Sequence, residues 1–308
     1  MRDFLSIRDC SVDELEELLA LSSELKKLDK ANKLKRTLEG KILAMLFEKA
    51  SLRTRISFEV AMADLGGVAI YLKPEDIGII GKREPAKDMA RVLTRYVHGI
   101  MARTFVHETL LELARYADVP VINALSDWSH PCQAMADILT IREHCGDLKG
   151  LKLAYIGDGN NVARSLVFAC AKFEMKLAVA SPAGYELDEQ SIKSSNEICA
   201  GSVIQINDPD EAVKDTNVVY TDTWVSMGQE DEKQKRIRAF QDFQVNTKLM
   251  ALAPAGAKIM HCLPAYRGLE ITDEVAESEN SIIFDQAENR LHFQRALLQK
   301  LLRKNPKI

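Results

Sequence analysis

At 308 residues the chain is long enough for two domains of ordinary size, and its apolar and charged fractions, 46% and 28%, mark a globular protein with a core of its own. A formal net charge of −4 argues against a general nucleic-acid binder, which is usually basic. No apolar run approaches the roughly 20 residues of a membrane span, and the charged, soon acidic opening MRDFLSIRDCSVDELEELL has no apolar signal region, so a cytoplasmic location is expected.

Ser11 followed by Glu14 is a capping box that opens a helix running to about Lys30. The run KILAMLF (41–47) predicts a buried strand. A helix from about Arg53 to Leu65 follows, stopped by Gly66-Gly67. Next come VAIYL as strand, Lys87–Val97 as helix, GIMARTF as strand, His107–Tyr116 as helix and VPVINA as strand, with a helix from Pro131 to about Cys145. The second half continues the same alternation. There LKLAYIG (151–157), LAVAS, SVIQIN, NVVYTDT and KIMHCL are strands with helical segments between them, and Asn289–Lys304 is amphipathic and helical. Strands alternating with helices predict two Rossmann-like three-layer α/β domains, each a mostly parallel sheet with helices on both faces. The run CGDLKG (145–150) sets the boundary, giving domains 1–146 and 147–288, with a last helix of about 289–305 packing back on the first. None of the six cysteines forms a C-x-x-C pair or has zinc-ligand spacing, so reduced thiols are expected.

In folds of this class ligands sit at the carboxyl ends of strands, and the polar motifs fall there. Phe47 to Glu59 joins a strand to a helix, where free N–H groups and the helix dipole favour an anion. Ser51 and Thr54 add hydroxyl donors, and Arg53 a fork that fits phosphate, whereas Arg55 is expected to pair with Glu48 or Glu59. Arg103 ends its strand, as either a ligand group or a surface ion pair. His130 precedes Pro131 at a helix start and points out of the helix end with Gln133, both able to bond a substrate carbonyl and amide. Cys132 is expected to lie buried beneath that helix.

On these residues the chain resembles the aspartate/ornithine carbamoyltransferase family. SLRTR (51–55) resembles its carbamoyl phosphate loop, and HPCQAMADILTI (130–141) its H-P-x-Q-x-x-x-D segment; DGNNVARSL (158–166), DTWVSMGQE (222–230), HCLP (261–264) and DQAENRLHFQ (285–294) follow in family order. The resemblance spans essentially the whole chain. It implies one domain for carbamoyl phosphate, one for an amino acid, and a homotrimer or a multiple of it with active sites at subunit boundaries. It assigns carbamoyl phosphate to Ser51, Leu52 through its backbone, Arg53, Thr54, Arg103, His130 and Gln133, with Cys262, Leu263 and Arg290 also approaching it. It assigns catalysis to Arg103, His130, Asp222 and Cys262.

The acceptor is chosen by charge. Asp222 suits the α-ammonium of ornithine, Asn161 its carboxylate, and Ser226 with the backbone at Met227 completes the clamp. Relatives that use aspartate carry arginine in this loop and H-P-L-P where this chain has His261-Cys262-Leu263-Pro264, and an acidic group repels a dicarboxylate. As a cap or a strand-end thiol, Asp222 and Cys262 also have purely structural readings. The expected reaction is attack by the neutral δ-amine on the carbamoyl carbon, with Thr54, Arg103 and His130 stabilising the oxygen. Phosphate leaves toward Arg53 without any metal or cofactor, and no membrane or nucleic acid is involved.

Three departures stand out. Leu52 replaces the usual Thr, Ile79 falls where glutamine often reaches in from a neighbouring subunit, leaving Lys82 or Arg83 as substitutes, and Tyr266 stands where His is common. The rivals are a nucleotide-binding dehydrogenase, for which Gly157-Asp158-Gly159 lacks the third glycine, a regulatory binding module that kept the fold, and an aspartate carbamoyltransferase.

Overall fold

The computed structural model describes residues 1–225 and 230–303. The chain divides into two compact units: Met1–Leu139 with the stretch from Glu288, and Thr140–Ala287. Both divisions fall inside helices, Pro131–Cys145 and Ile283–Arg303.

The first unit is built on four parallel strands, β1 (Ile42–Phe47), β2 (Val68–Leu72), β3 (Gly99–Arg103) and β4 (Val121–Leu125), in the order β2-β1-β3-β4. The central strands β1 and β3 are continuous apolar runs because helices cover both their faces. Leu110 and Leu113 of the helix His107–Tyr116 lie fully buried against Ala44, Leu46, Ile100 and Ala102, each such leucine contributing about 1.5–3 kcal/mol. The expected capping box is present: Ser11 Oγ accepts from the Glu14 N–H at 3.2 Å and the Ser11 N–H donates to Glu14 Oε2 at 3.0 Å. The last helix begins at Ile283, six residues before the sequence pattern places it, because Ile282 and Ile283 are buried by tertiary packing that periodicity does not reveal. Its later turns belong to the first unit. Arg295 bridges Asp29 at 2.6 Å and also pairs with Asp64, and Phe293 packs on Phe4 with ring centroids 5.7 Å apart.

The second unit holds five parallel strands, β5 (Lys152–Ile156), β6 (Lys176–Ala180), β7 (Val203–Ile206), β8 (Val218–Thr221) and β9 (Lys258–His261), ordered β7-β6-β5-β8-β9. Strand order reverses at β5, the switch point where such sheets open a crevice. Gly159, just beyond β5, is required for close approach: a Cβ there would stand 2.3 Å from the backbone nitrogen of Leu187. The second glycine of Gly157-Asp158-Gly159 therefore seats one loop on another, which accounts for it without a dinucleotide.

Candidate functional site

In the first unit the polar residues converge at the ends of β1, β3 and β4. Ser51 caps the helix Leu52–Asp64, its Oγ accepting from the Thr54 N–H at 3.4 Å. Leu52, the first helical residue, is 75% exposed, so its side chain contributes nothing to local packing and its backbone is what the site can use. Arg53 follows it in that turn. Thr54 is buried and is the hub. Its Oγ1 accepts from Arg290 Nη2 at 3.0 Å and, more weakly, from Arg103 Nη1 at 3.5 Å, with Ser51 Oγ 3.1 Å away. Arg55 pairs instead with Glu59 at 3.0 Å and stacks over Tyr71, as its alternative reading expects.

His130 is buried at the start of the helix Pro131–Cys145. Burial first, then the positive charges of Arg290, Arg103, Lys49 and Arg53, hold its pKa well below 6.5, so it is a neutral imidazole at physiological pH. These cations gathered around one ring form a site for an anion. Gln133 donates from Nε2 to Asp137 Oδ1 at 2.8 Å. Cys132 is inert: burial raises its pKa to about 12, and its thiol points to the Asn123 carbonyl at 3.4 Å.

Two residues beside this cluster escape a reading of motifs. Glu48 is buried and accepts from the Ile80 N–H at 2.7 Å and the Phe105 N–H at 2.6 Å, tying two loops to the end of β1. Burial and then Arg103 lower the Lys49 pKa to about 8, against the opposing charges of Asp127 and Glu48. In sequence Glu48 reads only as a partner for Arg55, and Lys49 as ordinary surface charge.

In the second unit Asp222 stands just after β8 and Cys262 just after β9, which are neighbouring strands. Asp222 Oδ1 accepts from the Thr223 N–H at 2.8 Å and the Cys262 thiol at 2.9 Å. Its Oδ2 accepts from Asn160 Nδ2 at 2.9 Å. Asn160 is the helix cap, its Oδ1 taking the N–H groups of Val162 and Ala163 at 2.8 and 3.2 Å. Asn161 is the half-buried first residue of the helix Asn161–Lys172, next along the chain. Sequence reasoning passes over Asn160, although an Asn directly before a helix is a standard cap signal. Asp158 bonds Arg236 at 2.9 Å; burial raises its pKa to about 6 against the pull of that arginine. Ser226 and Met227 lie outside the described residues.

The ligand atoms of Asp222, His261 and Cys262 lie within 4.8 Å of one another, a spacing a metal ion could use. His261 is committed elsewhere, however. Its Nδ1 accepts the Leu263 N–H at 2.8 Å, which puts its proton on Nε2, facing Glu270 at 3.1 Å. Two remaining atoms fall short of the three or four protein ligands of a zinc site. His261 instead holds Leu263 at its positive φ of 59° before the cis peptide to Pro264.

A cationic helix-start site on one parallel sheet and a carboxylate–thiol–amide cluster on another define a two-unit α/β group-transfer enzyme. The chain belongs to the aspartate/ornithine carbamoyltransferase family: residues 2–143 match its carbamoyl-P binding domain and residues 149–301 its Asp/Orn binding domain. It is 52% identical over 301 residues to the ornithine carbamoyltransferase of Methanocorpusculum labreanum, covering 98% of each chain. It is 50% identical over 308 residues to that of Archaeoglobus fulgidus, covering both completely. The solved ornithine carbamoyltransferase of Pyrococcus furiosus superposes with a TM-score of 0.96 at 50% identity, over 99% of this chain and 98% of that one.

Proposed function

We propose that the chain transfers the carbamoyl group of carbamoyl phosphate to the δ-amine of L-ornithine, giving L-citrulline and phosphate, in arginine biosynthesis or, run backwards, in arginine catabolism. The observation that carries the choice of acceptor is Asp222, a buried carboxylate held by Thr223, Cys262 and Asn160. A carboxylate so placed attracts a diamino acid and repels aspartate.

The division of labour follows the two domains: residues 1–146, with the last helix of about 289–305, hold the donor and residues 147–288 the acceptor. Ser51, Leu52, Arg53, Thr54, Arg103, His130, Gln133 and Arg290 grip carbamoyl phosphate, and Cys262 and Leu263 approach it. Asp222 pairs with the α-ammonium and Asn161 with the carboxylate, and Ser226 and Met227 complete the clamp. The δ-amine, with an intrinsic pKa of about 10.4, reacts only when neutral. As it attacks, charge grows on the carbamoyl oxygen, which Thr54, Arg103 and the neutral His130 stabilise as donors. The C–O bond to phosphate breaks, and phosphate departs toward Arg53 and the helix start, able to take the amine's proton.

We place the chain in the cytoplasm as a homotrimer or a multiple of one. Support for self-association comes from Leu52, Ile56 and Val60, which form an exposed apolar stripe at four-residue spacing on one helix, and from exposed Val68 and Ile70 on the edge strand β2. Among the described residues no helix is long and apolar enough to cross a membrane. A citrulline assay with ornithine, putrescine and aspartate as acceptors tests the function. Product should form from ornithine, and carbamoylation of aspartate in preference to it would overturn the reading.

A further inference from the structure

The four residues that lead into His130 form a closed turn. The Ser126 N–H donates to the Ser129 carbonyl at 2.9 Å, and the Ser129 N–H returns to Ser126 Oγ at 3.2 Å. Asn123, fully buried in β4, donates from Nδ2 to the Leu5 carbonyl at 2.9 Å and, more weakly, to the Ser129 carbonyl and Ser126 Oγ, each at 3.3 Å. His107, the first residue of the helix His107–Tyr116, fastens the turn from outside. Its N–H donates to Asp127 Oδ1 at 2.8 Å, its Nδ1 lies 2.8 Å from Ser126 Oγ, and its ring packs on Trp128 with centroids 5.2 Å apart.

The surrounding bonds decide which way the His107–Ser126 contact runs. A hydroxyl oxygen has two lone pairs and one proton. At Ser126 the lone pairs receive the Ser129 N–H and Asn123 Nδ2, so the proton is what Ser126 offers to His107. Between Nδ1 at 2.8 Å and the Ser129 carbonyl at 3.3 Å, the nearer acceptor takes it. Nδ1 is therefore an acceptor, and the neutral ring carries its proton on Nε2. Burial, the largest influence, lowers the His107 pKa below 6.5; the carboxylates of Asp127, Glu108 and Asp9 oppose it and the Arg8 guanidinium assists.

We infer that His107 is a positioning residue for the reaction: in its neutral form it accepts from Ser126 and holds the Ser126–Ser129 turn so that His130, the next residue, presents its ring to the carbamoyl oxygen. The inference rests on the carbamoyl-transfer reading and deepens it. A proton on Nδ1 turns the acceptor into a donor aimed at an oxygen whose lone pairs are taken. Ser126 Oγ can receive it only by giving up the Ser129 N–H or Asn123 Nδ2, the bonds that close the turn. The peptide joining Ser129 to His130 then loses its fixed place. Donor binding leans on Arg53, Arg103 and Arg290, which lie outside the turn, so the fault appears in kcat more than in KM.

The test is citrulline formation by the full chain between about pH 5.5 and about pH 8, with kcat and donor KM measured for wild type, His107→Ala and His107→Asn. Asparagine places its amide oxygen where Nδ1 stands and does not titrate. His107→Ala should lose at least about tenfold in kcat with the donor KM within about threefold. His107→Asn should recover kcat to within about threefold of wild type at about pH 8. Dividing the wild-type kcat by that of His107→Asn cancels the titration of the acceptor amine. The quotient should hold level at the alkaline end and fall by up to about tenfold per unit below the His107 pKa. A quotient level throughout, or equal losses in the alanine and asparagine variants, overturns the proposal. If His107→Ala fails to fold, His107→Gln replaces it, because its amide reaches the place of Nε2 rather than Nδ1; activity equal to that of His107→Asn is then fatal. Nitrogen chemical shifts of isotope-labelled histidine, with His107 identified by its loss in His107→Asn, read the tautomer whether or not the chain turns over. The proton must sit on Nε2 at about pH 7.5, and a proton on Nδ1 overturns the proposal. A chain that passes this and forms no citrulline from ornithine counts against the carbamoyl-transfer reading and not against the hold of His107 on the turn.

Discussion

The thiol of Cys262 donates to Asp222 Oδ1 across 2.9 Å, and the same carboxylate takes Asn160 Nδ2 on its other oxygen at 2.9 Å. Forty residues of chain separate Asp222 from Cys262, and what joins them is the parallel register of β8 and β9, Thr221 opposite His261. The carboxylate is thereby anchored from both sides. Asp222→Asn removes its charge while keeping the shape. Hydrogen bonds to charged groups are worth about 1.5–3 kcal/mol, so the KM for ornithine should rise about 10–150-fold. The KM for carbamoyl phosphate should move less, because of its expected ligands only Cys262 and Leu263 lie on this unit. Initial rates with each substrate varied in turn decide the matter, and an unchanged ornithine KM would remove Asp222 from the acceptor site.

Lys49 gives the donor site a pH dependence of its own. Burial and Arg103 lower its pKa from 10.5 to about 8. Because the folded value lies below the unfolded one, the charged form is disfavoured by folding; this cost is full below about 8 and fades as pH rises toward 10.5. A dianion favours the charged form. Carbamoyl phosphate should therefore bind fully below about pH 8 and weaken by up to about tenfold per unit above it. Over the same range kcat should climb as the acceptor amine loses its proton. Profiles of KM and kcat from about pH 7 to about 9.5 separate the two, and Lys49→Met should flatten the first alone. A wild-type KM that is level across this range would show that Lys49 does not sense the donor.

The pattern of legible and illegible features has a physical origin. The strands of both sheets can be read from sequence because buried parallel strands are short apolar runs bounded by turn residues, as IGDG and HCLP show after β5 and β9. The residues that touch ligands are legible where a motif concentrates them, as in SLRTR. What stays hidden is side-chain pairing over distance. Asp158 and Arg236 are 78 positions apart, and although Asp158 opens the DGNNVARSL segment, nothing in that segment points to Arg236. Asn160 and Asn161 are adjacent and chemically identical; only the helix start assigns capping to the first and not to the second. Lys49 looks like any surface lysine until packing desolvates it.

The Asp158–Arg236 pair makes the stability of the second unit depend on pH in a diagnostic way. The Asp158 pKa is raised from 3.8 to about 6. Between those values the unfolded carboxyl has lost its proton and the folded one has kept it, so stability falls as pH rises through that window. Arg236→Met leaves a buried carboxylate without its cation, a change that typically costs about 3–5 kcal/mol. Its pKa then climbs further and the loss extends to neutral pH. Urea midpoints should show the variant far below wild type at about pH 7.5 and closer to it at about pH 5, where Asp158 is protonated in both. An equal deficit at both values would mean that Arg236 acts by packing on Tyr185 and Phe240, at 4.9 and 5.9 Å, rather than by charge.

Thr54 offers the sharpest separation of site from scaffold. Its hydroxyl oxygen has two lone pairs and receives Arg290 at 3.0 Å and Arg103 at 3.5 Å. Ser51 Oγ also donates to it at 3.1 Å, so this one oxygen ties both guanidinium groups to the helix cap. Thr54→Val keeps the shape of the side chain and deletes this hub, so both guanidinium groups lose the partner they share. The KM for carbamoyl phosphate should rise at least about tenfold, the loss of one charge-assisted bond. Thr54→Ser keeps the oxygen and should stay within about threefold of wild type, even though it gives up a buried methyl worth about 1 kcal/mol of stability. The two variants thus move activity and stability in opposite senses: the serine chain should melt earlier than wild type yet bind the donor, and the valine chain should fold yet bind it poorly. Donor KM values for the two variants that track their melting temperatures instead would make Thr54 a packing residue, and the cluster around it a feature of the fold alone.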